Sequence, residues 1–262
     1  MSVPDQPQQP DVVARLRAAG CVYAEEEAAL LVAEAASADE LEAMVARRVA
    51  GHPLEQVLGW AEFCGLRVAV SPGVFVPRQR TRLMVREALR LLEQAAARPV
   101  VLDLCCGTGA VGLAVATARP DVELHACDVD PAAVRCARAN LGDHAQVYVG
   151  DLDEPVPLSL RRRVQVLLAN VPYVPTEEIA LMPTEARVHE HRVALDGGAD
   201  GLQTLARVAA LAPRWLAPGG SVLCETSERQ ASPALQHLEE QGLAGRVVSC
   251  DEATLVVGTL PG

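Results

Sequence analysis

Val100-Val-Leu-Asp-Leu-Cys-Cys-Gly-Thr-Gly-Ala-Val-Gly112 is an apolar run broken by one acid, closed by glycines and reopened by alanine and valine. The pattern predicts a buried strand, a tight turn at Gly107 and Gly109, and a helix starting near Ala110. Glycine lets bare backbone come close to a ligand, and the first turn of the helix aims unpaired N–H groups at it. Gly107, Gly109 and Gly112 also satisfy the spacing of a dinucleotide loop, so these residues alone establish a nucleoside-cofactor cradle and leave its ligand open.

Downstream the same texture repeats. Short apolar runs at 122–127, 145–149, 164–169, 220–224, 246–250 and 255–258 are separated by helical stretches. Strands alternating with helices predict a mostly parallel, doubly wound α/β sheet covered on both faces. Only Asp251-Glu252-Ala253-Thr254 separates the last two runs. That is too short for a parallel crossover, so they form a hairpin with one antiparallel strand, the arrangement of class I methyltransferases. Upstream, residues 11–49 are rich in alanine and leucine, with Leu16, Leu30, Leu31, Ala35, Leu41, Met44 and Val45 as candidate core of a small helical bundle. Gly51-His-Pro53 breaks that pattern, and residues 60–77 read as extended pieces around Gly65 and Ser71-Pro72-Gly73. The expected division is a helical substrate-recognition domain over 1–59, a β-hairpin linker over 60–78 and a cofactor-binding domain over 79–262.

Composition narrows the chemistry. Half of the 262 residues are hydrophobic and 22% are charged, which supports a sizeable core. No run reaches the eighteen or so apolar residues of a membrane span, and the first ten residues are polar rather than signal-like, so a cytoplasmic protein is expected. The net charge of -11 opposes a broad grip on a phosphate backbone, and the few aromatic residues offer little surface for base stacking. All 23 basic residues are arginine, which excludes a Schiff-base lysine and a Walker A loop. The eight cysteines lack zinc spacing and read as buried apolar residues, so no metal is expected.

Asp103, Asp128 and Asp151 each stand at or near the end of one of three successive strand runs. Three such acids fit one ligand lying across the carboxyl edge of the sheet, with Asp128 on a ribose and Asp151 accepting from an adenine amino group. An acid ahead of the glycine pair, as D-x-x-x-G-x-G, favours S-adenosylmethionine over a nicotinamide. Taken singly, each aspartate reads equally as a turn or helix cap.

The fourth run ends in Asn170-Val-Pro-Tyr173. Here the sequence resembles the release-factor glutamine N5-methyltransferases, whose signature at this place is Asn-Pro-Pro-Tyr. In family order the resemblance also takes in Gly51-His-Pro-Leu54, Gly59, Phe63, Gly65-Leu66, Val76-Pro-Arg78, Thr81, the glycine loop, Glu190, Ala194-Leu-Asp-Gly-Gly-Ala-Asp-Gly-Leu202 and Pro218-Gly-Gly220. It implies a methyl acceptor that is a planar, uncharged nitrogen, first of all a glutamine side chain in a release-factor-like protein. It further implies that the Asn170 side-chain oxygen and the Val171 carbonyl accept the acceptor's N–H groups, with Pro172 fixing the turn and Tyr173 packing on the planar group. Asp103, Gly107, Thr108, Gly109, Asp128, Val129, Asp151, Leu152, Arg78, Thr81 and Asn170 are the implied cofactor contacts, and Glu190 joins Asn170 and Tyr173 on the substrate side.

The chain departs from the family pattern at Val171, in place of proline, and at Cys105, in place of the first loop glycine. Leu152 replaces an aromatic residue, Arg82 an acid, and His191 the proline after Glu190. A methyltransferase for a small molecule or peptide, and a noncatalytic protein that keeps the cofactor pocket, are the competing readings. An adenine N6-methyltransferase, which shares the Asn-Pro-Pro-Tyr signature, stands behind both. Arg161-Arg-Arg163 reads as a solvated turn, and His189 and His191 as polar surface close to the acceptor loop.

Overall fold

A computed structural model describes residues 9–95 and 97–262. Residues 1–8 of the expected helical domain, and most of the polar N-terminal stretch, lie outside the described residues.

Helices α1 (Gln9–Ala18), α2 (Ala24–Glu34), α3 (Ala38–Val49) and α4 (Leu54–Leu58) come first. Val12, Leu16, Ala28, Leu31, Val45 and Val57 close an apolar core of their own. Leu30, an expected core residue, is exposed instead, because Ala28 and Leu31 define the inward stripe of α2. Ser37 caps α3 by accepting the Glu40 N–H. The hairpin β1 (Trp60–Phe63) and β2 (Leu66–Ala69) follows. Cys64 and Gly65 form its two-residue turn, both with positive φ, the conformation that matches the twist of a tight hairpin. After α5 (Arg82–Leu92) the alternation begins: β3 (Val100–Leu104), α6 (Ala110–Ala118), β4 (Glu123–Asp128), α7 (Pro131–Leu141), β5 (Ala145–Val149) and β6 (Val164–Ala169). Then come α8 (Thr184–His189), α9 (Gln203–Trp215), β7 (Leu216–Thr226), α10 (Ala231–Glu239), β8 (Ala244–Cys250) and β9 (Ala253–Thr259).

Strands β3 to β9 make one sheet in the order β5-β4-β3-β6-β7-β9-β8, parallel except for β9, which runs against both neighbours. The expected terminal hairpin is present. β7 is longer than the run at 220–224 because Leu216 already pairs with Val164 before the register shifts. Side-chain parity explains the unbroken apolar strands: Leu102, Leu104, Leu167 and Ala169 join the core on one face, Val101, Val166 and Leu168 the core on the other. A sheet buried on both faces needs apolar residues at every position.

The strand order reverses between β3 and β6, where a crevice opens at the carboxyl edge. Register sets what meets there. Leu104 lies opposite Cys127 on one side and Ala169 on the other, and Ala169 lies opposite Cys224. Hence Asp128, Cys105, Asn170 and Glu225 follow one another along the edge.

Candidate active site

One cavity occupies that crevice. Its wall includes Asp103, Gly107, Thr108, Asp128, Val129 and Asn170, drawn from three neighbouring strand ends. Val171, Pro172, Tyr173, Arg78 and Thr81 also line it.

Three residues of the glycine loop take positive φ: Cys105, Gly107 and Gly109. That conformation costs a residue with a Cβ on the order of 1 to 2 kcal/mol, which gives the family's glycine at position 105 a physical reason. A Cβ placed on Gly107 would meet no protein atom within 4 Å, so the bare backbone faces open space. Gly112 is needed for a different reason. Its own Cβ would fall 3.0 Å from the Asp103 carboxylate, which accepts the Gly112 N–H at 3.1 Å. Asp103 is therefore a buried brace inside β3 for the first turn of α6. Burial pushes its carboxyl up to about 7, against the Gly112 hydrogen bond and with help from Asp128.

Asp128 ends β4 and accepts from Gly107 N at 2.8 Å and Asp130 N at 2.9 Å. Burial raises its pKa, the two backbone donors opposing. Asp130 caps α7 through Ala132 N and pairs with His191 Nδ1 at 2.6 Å. His191 thus lies beside the cavity mouth.

Next to His191, Glu190 is gripped at both oxygens by Arg78, at 2.6 and 2.8 Å, and also accepts the Val76 N–H. The Glu190 side chain is wholly buried. Burial raises its pKa and Arg78 opposes the rise. Glu190 therefore stands behind the cavity and fastens its wall, whereas Arg78 is part of that wall. The Thr81 hydroxyl is buried there without a hydrogen-bond partner among the described residues.

Asn170 follows β6, half-buried, and its carboxamide makes no hydrogen bond among the described residues. Below it Val171 packs into the core. The turn is held from outside by the stretch Leu195 to Leu202. Val174 N–H donates to Leu195, and Gly197 N–H donates to Val174. A Cβ on Gly197 would sit 2.7 Å from the Pro172 carbonyl oxygen, so only glycine permits this approach.

Three expected cofactor contacts, Gly109, Asp151 and Leu152, do not line the cavity. Gly109 faces Ala137 and Leu141 of α7. Asp151 is half-exposed and paired with Arg207 at 2.8 Å, and Leu152 packs into the core with positive φ. Of the three expected acids, Asp103 and Asp128 line the cavity and Asp151 does not. Residues 161–163 are exposed, as expected. Phe75, Arg80, Glu225 and Gln230 belong to the site or its support and were not foreseen. Glu225 had a signal, since the apolar run before it ends on an acid as β4 does; Arg80 had none, its partner Glu225 lying 145 residues away.

Comparison with known proteins agrees with this architecture. Residues 65–200 match the family model of the methyltransferase small domain. The chain is 36% identical over 211 residues to the release factor glutamine methyltransferase of Geobacter sulfurreducens, covering 79% of this chain and 70% of that one. It is 39% identical over 203 residues to the protein of that name from Bordetella pertussis, covering 76% and 74%. In fold it is similar to a methyltransferase from Pyrococcus furiosus, with a TM-score of 0.54 at 15% identity over 83% of this chain and 98% of that one.

Proposed function

The chain belongs to the release factor glutamine methyltransferase family, and from that premise we propose that it methylates the side-chain amide nitrogen of a glutamine in a peptide chain release factor. Members of this family use S-adenosylmethionine, which when bound supplies an electrophilic methyl on a sulfonium. The chain's own residues fit it. The Gly107 backbone faces open space, the Asp128 carboxylate can accept ribose hydroxyls, and the unpartnered Thr81 hydroxyl and Arg78 suit a polar, zwitterionic tail.

The observation that carries the acceptor assignment is the free Asn170 carboxamide on the same cavity wall as Gly107. An amide nitrogen is a poor nucleophile because its lone pair is delocalised. The Asn170 Oδ1 and the Val171 carbonyl accept its two N–H groups, hold the nitrogen in place and favour the pyramidal geometry that frees the lone pair. Tyr173 covers the planar face. Catalysis is then positioning and polarisation, and the displaced proton passes to water without a dedicated base. Val171 keeps the carbonyl that a proline would offer, so the departure from the family leaves this acceptor intact.

The helical region 1–59 is assigned to gripping the acceptor protein, residues 60–78 to linking, and 79–262 to the reaction, in the cytoplasm. No described helix is long and apolar enough to cross a membrane. The test is transfer of label from tritiated S-adenosylmethionine to a purified release factor, with the methylated residue mapped by mass spectrometry. Glutamine labelling that is lost in Asn170→Ala is the expected result. Label appearing only in a small-molecule extract, or in no acceptor at all, rejects the assignment.

A further inference from the structure

Tyr173 is gripped twice: its phenol by Glu225 near the end of β7 and Arg80 ahead of α5, and its backbone by Gln230 beyond β7. Its phenol donates to Glu225 Oε1 at 3.2 Å and accepts from Arg80 Nη2 at 2.6 Å, while Arg80 Nε donates to the same Glu225 oxygen at 3.1 Å. Its backbone carbonyl accepts from Gln230 Nε2 at 3.0 Å, and Gln230 also donates to the Asp200 carbonyl at 2.9 Å. The Glu225 side chain is only 2% exposed. Its second oxygen is buried with no partner among the described residues.

The physics of this triangle is one-sided. Turning the Tyr173 ring away breaks two charge-assisted hydrogen bonds at once. It also leaves a buried carboxylate with a single partner, in an interior where an unpaired charge is costly. The ring therefore has one stable orientation as long as both ions are present. The charge of Arg80 matters as much as its hydrogen bonds, because no other cation pairs with Glu225 among the described residues.

We propose that Arg80 and Glu225 are positioning residues for methyl transfer: together they lock the Tyr173 ring, and through it the turn 170–173, in the orientation that closes one face of the amide site. The inference rests on the amide-transfer reading of that site. Glu225 does not line the cavity, and the described side-chain bonds of both residues run to each other and to Tyr173, so the clamp acts on the acceptor turn.

The two ions act on the phenol with opposite signs. Burial raises the Tyr173 pKa to about 12, Glu225 adding to the rise and Arg80 opposing it. With tyrosine labelled at 13Cζ, the three tyrosines give separate resonances to titrate. Glu225→Gln shifts the Tyr173 titration to lower pH and Arg80→Met shifts it to higher pH, whereas a merely structural role moves both the same way through loosened packing. In turnover with release factor, Glu225→Gln lowers kcat by roughly 10²-fold, the scale of a small misplacement of reacting groups. S-adenosylhomocysteine affinity, measured by calorimetry, stays near the wild-type value. Glu225→Asp and Arg80→Lys recover part of the loss. In a Tyr173→Phe background, Glu225→Gln has little further effect. Unchanged kcat in Glu225→Gln, or phenol shifts of the same sign in the two variants, overturns the proposal. If the wild-type protein transfers no methyl to release factor, the amide-transfer reading fails by itself, and the two phenol titrations still decide whether the clamp exists.

Discussion

Gly107 donates its backbone N–H to the Asp128 carboxylate at 2.8 Å, so the glycine turn after β3 is pinned to the end of β4. The same carboxylate lines the cavity, where it is proposed to hold a ribose, which gives it two tasks. Asp128→Ala is therefore expected to weaken S-adenosylhomocysteine binding at least 10-fold, and Asp128→Asn less, because an amide oxygen still accepts from Gly107. Calorimetry measures both, and equal affinity in wild type and Asp128→Ala contradicts this placement.

Gly201 has positive φ, and a Cβ there would overlap the Tyr173 carbonyl and the Gln230 amide. Gly201→Ala is expected to destabilise the protein by about 2 kcal/mol or more, a fall of roughly 4 °C or more in Tm. Methyl transfer should fall further than cofactor affinity, since the displaced atoms belong to the acceptor turn. Thermal unfolding followed by single-turnover labelling separates the two effects.

Asp103 carries a pH dependence with a definite sign. Its carboxyl sits near 7 in the folded protein against 3.8 ordinarily, so the native form holds a proton that the unfolded chain has released. The stability it contributes is complete below about pH 4 and is lost as pH rises to 7. Asp103→Asn removes this effect. Across that window the wild type should lose stability relative to the variant by at most about 1.4 kcal/mol per pH unit. Urea unfolding at pH 4.5 and pH 7 tests it, and a constant difference between the two proteins counts against a shifted Asp103.

Arg48 is buried in α3 and joins Glu27 of α2 at 2.6 Å to Glu185 of α8 at 2.6 Å. Removing it strands the buried Glu27 carboxylate. Arg48→Ala should cost about 3 to 5 kcal/mol, and Arg48→Ala with Glu27→Ala less than the sum of the two single changes. Denaturant titration of the three variants provides the cycle.

The parts of the molecule legible in the sequence are those governed by local pattern. Apolar runs divided by helices gave the sheet, and a four-residue gap gave the terminal hairpin. Gly107 and Gly109 marked the turn because positive φ is a local demand. Asn170 was legible as the residue after a strand next to that turn. What escaped was long-range. Arg80, Tyr173 and Glu225 converge from three parts of the chain, and the close approach of Gly197 to Pro172 depends on how a distant loop folds back. Asp151 was expected at the cavity from its place after β5, and the partner it has, Arg207, lies 56 residues away, beyond the reach of local pattern.

Gln56 of α4 is buried, and its amide donates to the carbonyls of Val74 and His189 at 3.2 and 3.0 Å, on either side of the bridge between Gly73 and Glu190. Val74 also borders the cavity. The N-terminal helices are thus riveted to the rim and cannot swing as a loose arm. By thermodynamic reciprocity, whatever stiffens the rim must stiffen α4. Amide hydrogen exchange in α4 should slow when S-adenosylhomocysteine is added, and exchange there that ignores the ligand would mean the rivet transmits no torque.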